Sequence, residues 1–134
     1  TGLWHAPTGL PSRSGLLTHL RAAIQRAERD GATLALLRAD VALPRKGVPT
    51  PWSRLIWNQL RAGELVAVAS PDALSLVVYG AHKAERETLI ARFRGMGKET
   101  LMLEMKHVDV VFYPRDATSA EGLLERSMRE GERS

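Results

Sequence analysis

The sequence holds no cysteine. Disulfides and thiolate metal sites are therefore excluded, and redox chemistry leaves the compartment unconstrained. Aromatic residues are scarce, at 5%. The candidate strands carry no interleaved series of them, so a base-stacking sheet is not expected, nor is nucleic acid as a partner. No apolar run approaches the ~20 residues that span a bilayer, so no membrane segment is expected. Internal repeats, low-complexity tracts and a recognisable signal peptide are all missing. The first residue is Thr rather than Met, and the chain reads as a piece of a longer or processed protein.

What is present suits one domain. A chain of 134 residues at 44% apolar composition is long enough for a real core. The net charge of +4 comes from arginines spread over several segments. Such a spread reads as a solvated surface rather than an anion-binding face.

Two apolar runs, 65–69 and 74–79, flank Ser70-Pro71-Asp72-Ala73. The Pro pre-sets a type I turn, and the Ser and Asp side chains bond nearby backbone groups. A β-hairpin is predicted, apolar enough for both strands to sit mid-sheet. Its tip carries one carboxylate, Asp72, and no glycine.

Before it, residues 1–11 lack a period and read as a loop or lead-in. Ser12 or Ser14 caps a helix with Leu17, Leu20, Ile24 and Ala27 on one stripe, closed by Asp30-Gly31. Residues 33–40 form a strand ending in Asp40. That carboxylate is a candidate metal ligand, although a solvated strand end is the commoner role. After a loop over 41–50, Thr50-Pro51 opens a helix burying Trp52, Leu55, Ile56 and Leu60, stopped by Gly63.

Past the hairpin, residues 81–94 read as a helix stopped by Gly95 and Gly97. Residues 100–105 and 106–113 are extended candidates, and Pro114 ends the second. Thr118-Ser119-Ala120-Glu121 is a capping box opening a last helix with Leu123, Leu124 and Met128 inward. A polar tail begins at Gly131. The order gives an α/β (α+β) layout of the ferredoxin-like or polymerase-palm kind, with helices on the faces of one sheet.

This order and its punctuation resemble the GGDEF domain, the bacterial diguanylate cyclase fold. Thr8-Gly9-Leu10-Pro11-Ser12-Arg13 is similar to the family's opening motif. The strand ending in Asp40 is similar to the one that ends in a metal-binding Asp. Val110-Val111-Phe112-Tyr113-Pro114, with Ser119-Ala120-Glu121-Gly122-Leu123-Leu124, is similar to the closing strand, turn and helix. The resemblance covers residues 8–130, with a lead-in or linker at 1–7 and a tail at 131–134. It implies a nucleotidyl-cyclase-like fold: a ferredoxin-like palm core whose central sheet is mixed but mainly antiparallel.

The signature itself departs from the family. Ser70-Pro71-Asp72-Ala73-Leu74 stands where the family has Gly-Gly-Asp-Glu-Phe. Pro and Ser hinder the close backbone approach that two glycines allow. Ala73 replaces a metal-binding Glu, and Ala42 replaces a second family Asp. Leu43-Pro44 stands in place of an aromatic pair, and the guanine-reading residues have no clear counterparts. Phosphoryl transfer needs metal ions clamped by carboxylates. Cyclase activity is therefore not expected, nor is a bound metal or cofactor.

The resemblance also implies a product site, marked in the family by RxxD ahead of the signature. Here it reads Arg61-Ala62-Gly63-Glu64, and Arg92 falls in register as a further Arg. An Arg fork suits a guanine edge or phosphate, and a carboxylate accepts from guanine N–H groups. Cyclic di-GMP is the implied ligand. A partner protein, other domains of a longer chain, or a homodimer would take the output, in a cytoplasmic setting. The alternative is a ligand-independent interaction or dimerisation module. His107 is expected to be buried and hydrogen-bonded. His82 starts a helix without metal-ligand spacing. Trp52 and Trp57 are expected to be core or interface anchors, and Arg129 matches a family phosphate-binding position.

Overall fold

The structure is a computed structural model that describes residues 2–133, with side chains through Arg129. A two-stranded ribbon pairs β1 (Trp4–His5) with β2 (Leu10–Pro11), where the sequence suggested only a loop. Local polar chemistry closes it. The buried Thr8 hydroxyl lies 2.8 Å from His5 Nδ1 and accepts from the Leu10 amide. Gly9 has φ +74°, and a Cβ there would lie 2.8 Å from Pro51. Only glycine meets both constraints.

Helix α1 (Arg13–Asp30) starts at Ser12, whose hydroxyl accepts from the Gly15 amide, and ends at Gly31 with φ +64°. Leu16, Leu20, Ile24 and Ala27 are its buried stripe, so Leu16 takes the deep position expected of Leu17. The remaining strands are β3 (Leu34–Asp40), β4 (Leu65–Ser70), β5 (Ala73–Tyr79) and β6 (Lys106–Tyr113), in the order β4-β5-β3-β6. Every pairing in this sheet is antiparallel. The β4–β5 hairpin forms as predicted, but only β5 is interior; β4 lies at an edge. Its apolar content is explained by burial of both faces.

One face packs Leu34, Leu36, Val77 and Val111 against Leu16 and Leu20 of α1 and Leu123 and Leu124 of α4 (Ala120–Arg133). The other packs Leu37, Val66, Leu76 and Phe112 against Trp52 and Ile56 of α2 (Trp52–Ile56) and Leu89 and Phe93 of α3 (Arg86–Gly95). Alternation along each strand supplies both cores.

Several boundaries depart from the sequence reading. Helix α2 lacks a side-chain cap and runs only to Ile56 before a 3₁₀ turn, so Leu55 and Leu60 are less buried than expected. Helix α3 begins at Arg86 and passes through Gly95 into a π-turn, Met96–Thr100. Gly97 serves packing instead of termination: a Cβ there would lie 2.8–3.0 Å from the Met105 side chain. Residues 101–105 consequently form no strand. At α4 the Gly122 amide bonds the Ser119 hydroxyl, and Glu121, the expected capping carboxylate, pairs with Arg21. Helix α4 continues to Arg133 instead of giving way to a tail at Gly131. Ser134 lies outside the described residues.

Candidate functional site

Two places carry the chemistry singled out by the sequence. The first lies at the hairpin tip. Ser70 pairs with Ala73, so Pro71 and Asp72 alone make the connection, with a register shift between Val68 and Ser70. The Ser70 hydroxyl donates to Asp72 Oδ1 at 2.9 Å and accepts from the Asp72 amide at 3.4 Å. The Asp72 carbonyl accepts from the Val41 amide at 2.9 Å, tying the tip to the end of β3. Asp40 and Asp72 line one open cleft of about 520 Å³, with Glu104 and Lys106.

Asp40 is already engaged on both oxygens. Its Oδ1 lies 2.7 Å from Arg38 Nη1, and its Oδ2 lies 2.8 Å from His107 Nδ1. Strand geometry explains the first contact, since residues two apart share a face. A bend explains the second. The β3–β6 register shifts between Arg38 and Asp40, and His107 takes φ +54° there. His107 is therefore hydrogen-bonded as expected, but exposed instead of buried.

Ala73 and Leu74 are fully buried, and Ala73 belongs to the core beneath α1 and α4. A hard cation such as Mg²⁺ needs several free oxygens in near-octahedral array. Here one carboxylate is neutralised by a guanidinium, and the neighbouring family position is a buried methyl. Among the described residues no cluster of three or more His, Asp or Glu could hold a metal. The residues present do not fit a metal clamp.

The second place joins the loop before β4 to α3. Arg92 donates to both Glu64 oxygens, at 2.8 and 2.5 Å, and to the Gln59 carbonyl at 2.9 Å. The Arg61 amide donates to Glu64 Oε1 at 2.9 Å. The Glu64 side chain is 3% exposed and that of Arg92 22%. Burial pushes the Glu64 carboxyl up. The Arg92 and Arg61 hydrogen bonds and both guanidinium charges outweigh it, leaving the group below its ordinary range. The same bond holds Arg92 above its usual value against its own desolvation. Glu64 and Arg92 thus form a closed bidentate pair. Arg61 is hydrogen-bonded through its backbone, and its charge also acts on Glu64; it is exposed, and its guanidinium has no hydrogen bond or ion pair among the described residues.

Of the other residues, Trp52 is buried and Trp57 is 79% exposed. The His82 amide donates to Glu85 in a short capping box. Arg129 lies exposed, 4.0 Å from Glu125. Arg38 escaped the sequence reading. A single Arg inside an apolar strand, two residues before Asp40, was the available signal.

The architecture is that of the GGDEF domain, the fold typical of diguanylate cyclases. A sensory box/GGDEF family protein from Caulobacter crescentus matches at 24% identity and a TM-score of 0.72, over 98% of this chain and 97% of that one. A DGC protein from Thermotoga maritima matches at 16% identity and 0.69, over 94% and 98%. The GGDEF domain of DgcB from Caulobacter crescentus, in complex with c-di-GMP, matches at 17% and 0.62, over 100% and 85%. At such identities the likeness is one of fold. No family model matches, and neither does any curated protein. Among the described residues no helix is long and apolar enough to cross a membrane.

Proposed function

We propose that the chain is a catalytically inactive GGDEF-fold regulatory domain that binds cyclic di-GMP and passes the signal to a protein partner. The inactivity rests on one observation: the strand-end carboxylate that should clamp a metal is held by Arg38 and His107. With Ala73 and Ala42 offering no side-chain oxygen, in-line phosphoryl transfer lacks its electrostatic support. Purified protein should produce no cyclic dinucleotide from GTP with Mg²⁺ or Mn²⁺, and measurable turnover would refute the reading.

The ligand half rests on Arg61, Glu64 and Arg92. Arg61 offers an unengaged fork to a phosphate or guanine edge, and Glu64 fixes Arg92 beside it. Titration calorimetry with cyclic di-GMP should show micromolar binding that Arg61→Ala removes. No heat at about 50 μM ligand would remove the claim. A ligand-independent interaction or dimerisation module is the second reading, favoured by the exposure of Trp57 at 79% and Trp4 at 66%. Partner capture that survives Arg61→Ala but fails with Trp57→Ala supports that module instead.

A further inference from the structure

Three irregularities meet where α3 gives way to β6. The helix ends in a π-turn over Met96–Thr100, a feature that is rare and concentrated at functional positions. Met102 holds φ +58°, a costly conformation for a non-glycine residue, and stands 83% exposed. Between them lies an open cleft of about 500 Å³, lined by Arg94, Lys98, Met102, Leu103, Glu104 and Met105.

The lining has two chemical halves. Met102, Leu103 and Met105 make an apolar wall. Arg94 and Lys98 place two cations against the one anion, Glu104. Arg94 gives one hydrogen bond to the Met105 carbonyl at 3.0 Å, and neither cation is ion-paired among the described residues. Methionine is unbranched and polarizable, and it suits surfaces that mould to a partner. An exposed Met on a strained backbone, next to two cations that form no ion pair among the described residues, has no role in the packing of this chain.

We infer that this cleft is a docking site for an acidic peptide segment of a partner protein, with carboxylates meeting Arg94 and Lys98 and apolar side chains covering Met102 and Leu103. Charge complementarity selects the sign, and the apolar wall selects a peptide over a bare anion. Neither Arg61 nor Arg92 lines this cleft, whose Met102, Leu103 and Glu104 also border the cleft of Asp40 and Asp72, and the inference does not rest on cyclic di-GMP binding.

Fluorescence anisotropy tests this with a labelled peptide of alternating Glu and Leu, against the same peptide with Lys for Glu. The acidic peptide should bind and the basic one should not. Lys98→Glu and Met102→Gln change exposed side chains and so keep the fold; each should weaken binding about tenfold. Raising salt from about 50 to 300 mM should weaken it further. Arg61→Ala and Trp57→Ala should leave it unchanged. Equal binding of both peptides, no loss with Lys98→Glu, or a loss that follows Trp57→Ala instead would each overturn the assignment.

Discussion

Arg92→Ala is the most informative single change. It removes both guanidinium bonds to Glu64 and the bond to the Gln59 carbonyl. Glu64, whose side chain is 3% exposed with Arg92 in place, is then left as a partly buried carboxylate without its partner. Breaking a buried ion pair costs about 3–5 kcal/mol, because the remaining charge stays desolvated. Arg92 is 22% exposed and the Arg61 amide bond survives, so the low end, about 3 kcal/mol, is expected. Urea unfolding at pH 7 should show a lower midpoint with an unchanged slope.

The pH dependence fixes the cause. In the intact protein, Glu64 lies below its ordinary value of 4.5. A depressed folded-state pKa stabilises the fold above the unfolded value, and that contribution is lost as pH falls through the folded one. The contribution of the pair is therefore complete at pH 7 and declines only below the ordinary value. In the variant, burial acts with less opposition and Glu64 takes up its proton at higher pH. The gap between the two proteins should narrow toward pH 4. A deficit under about 1 kcal/mol at pH 7, or an equal deficit at both pH values, would refute the buried-pair account.

Other changes test the remaining structure. Arg38 is 7% exposed; its Nη1 meets Asp40 as an ion pair at 2.7 Å, but neither Nη1 nor Nε has a partner in hydrogen-bond geometry. Asp40 is 32% exposed and keeps His107, so Arg38→Met should cost under about 1 kcal/mol in urea unfolding. A large loss would show that the Asp40 contact holds the strand end. Ala73 is fully buried, so Ala73→Glu should cost at least about 2 kcal/mol and yield no cyclase activity; recovered GTP turnover would contradict this. On the edge strand β6, the Asp109 carboxylate accepts from the Val110 amide and the Asp116 carboxylate from the Phe112 amide, while the Asp116 backbone amide donates to the Phe112 carbonyl. The two carboxylates thus occupy amides that an edge otherwise offers to another chain. Asp116→Ala should destabilise by about 1–3 kcal/mol and promote self-association in analytical ultracentrifugation; a stable monomer would count against that role.

Local patterns carried much of the fold. The glycine end of α1, the pairing of the hairpin and the Pro114 stop depend on neighbours in sequence and form as read; of the two candidate caps Ser12 is the one used, and β4 takes the edge where a mid-sheet place was expected. The errors fall where packing overrides a local preference. Gly95 and Gly97 look like helix stops, but Met105 fills the space that Gly97 leaves, and the helix runs on. Thr118 to Glu121 fits a capping box, but Arg21, one hundred residues away, takes the carboxylate. His107 sits in an apolar strand, but a register shift turns it outward.

The candidate sites divide the same way. Sequence alone set which groups exist: one carboxylate at Asp72, a methyl at Ala73, and Arg61, Glu64 and Arg92 at their spacing. Only the tertiary structure decided what those groups are free to do. It closed Glu64 onto Arg92, left Arg61 open, and gave Asp40 to Arg38 and His107. Side-chain identity is written residue by residue, whereas a charge takes its partner from whichever distant segment the packed sheet brings within a few ångströms.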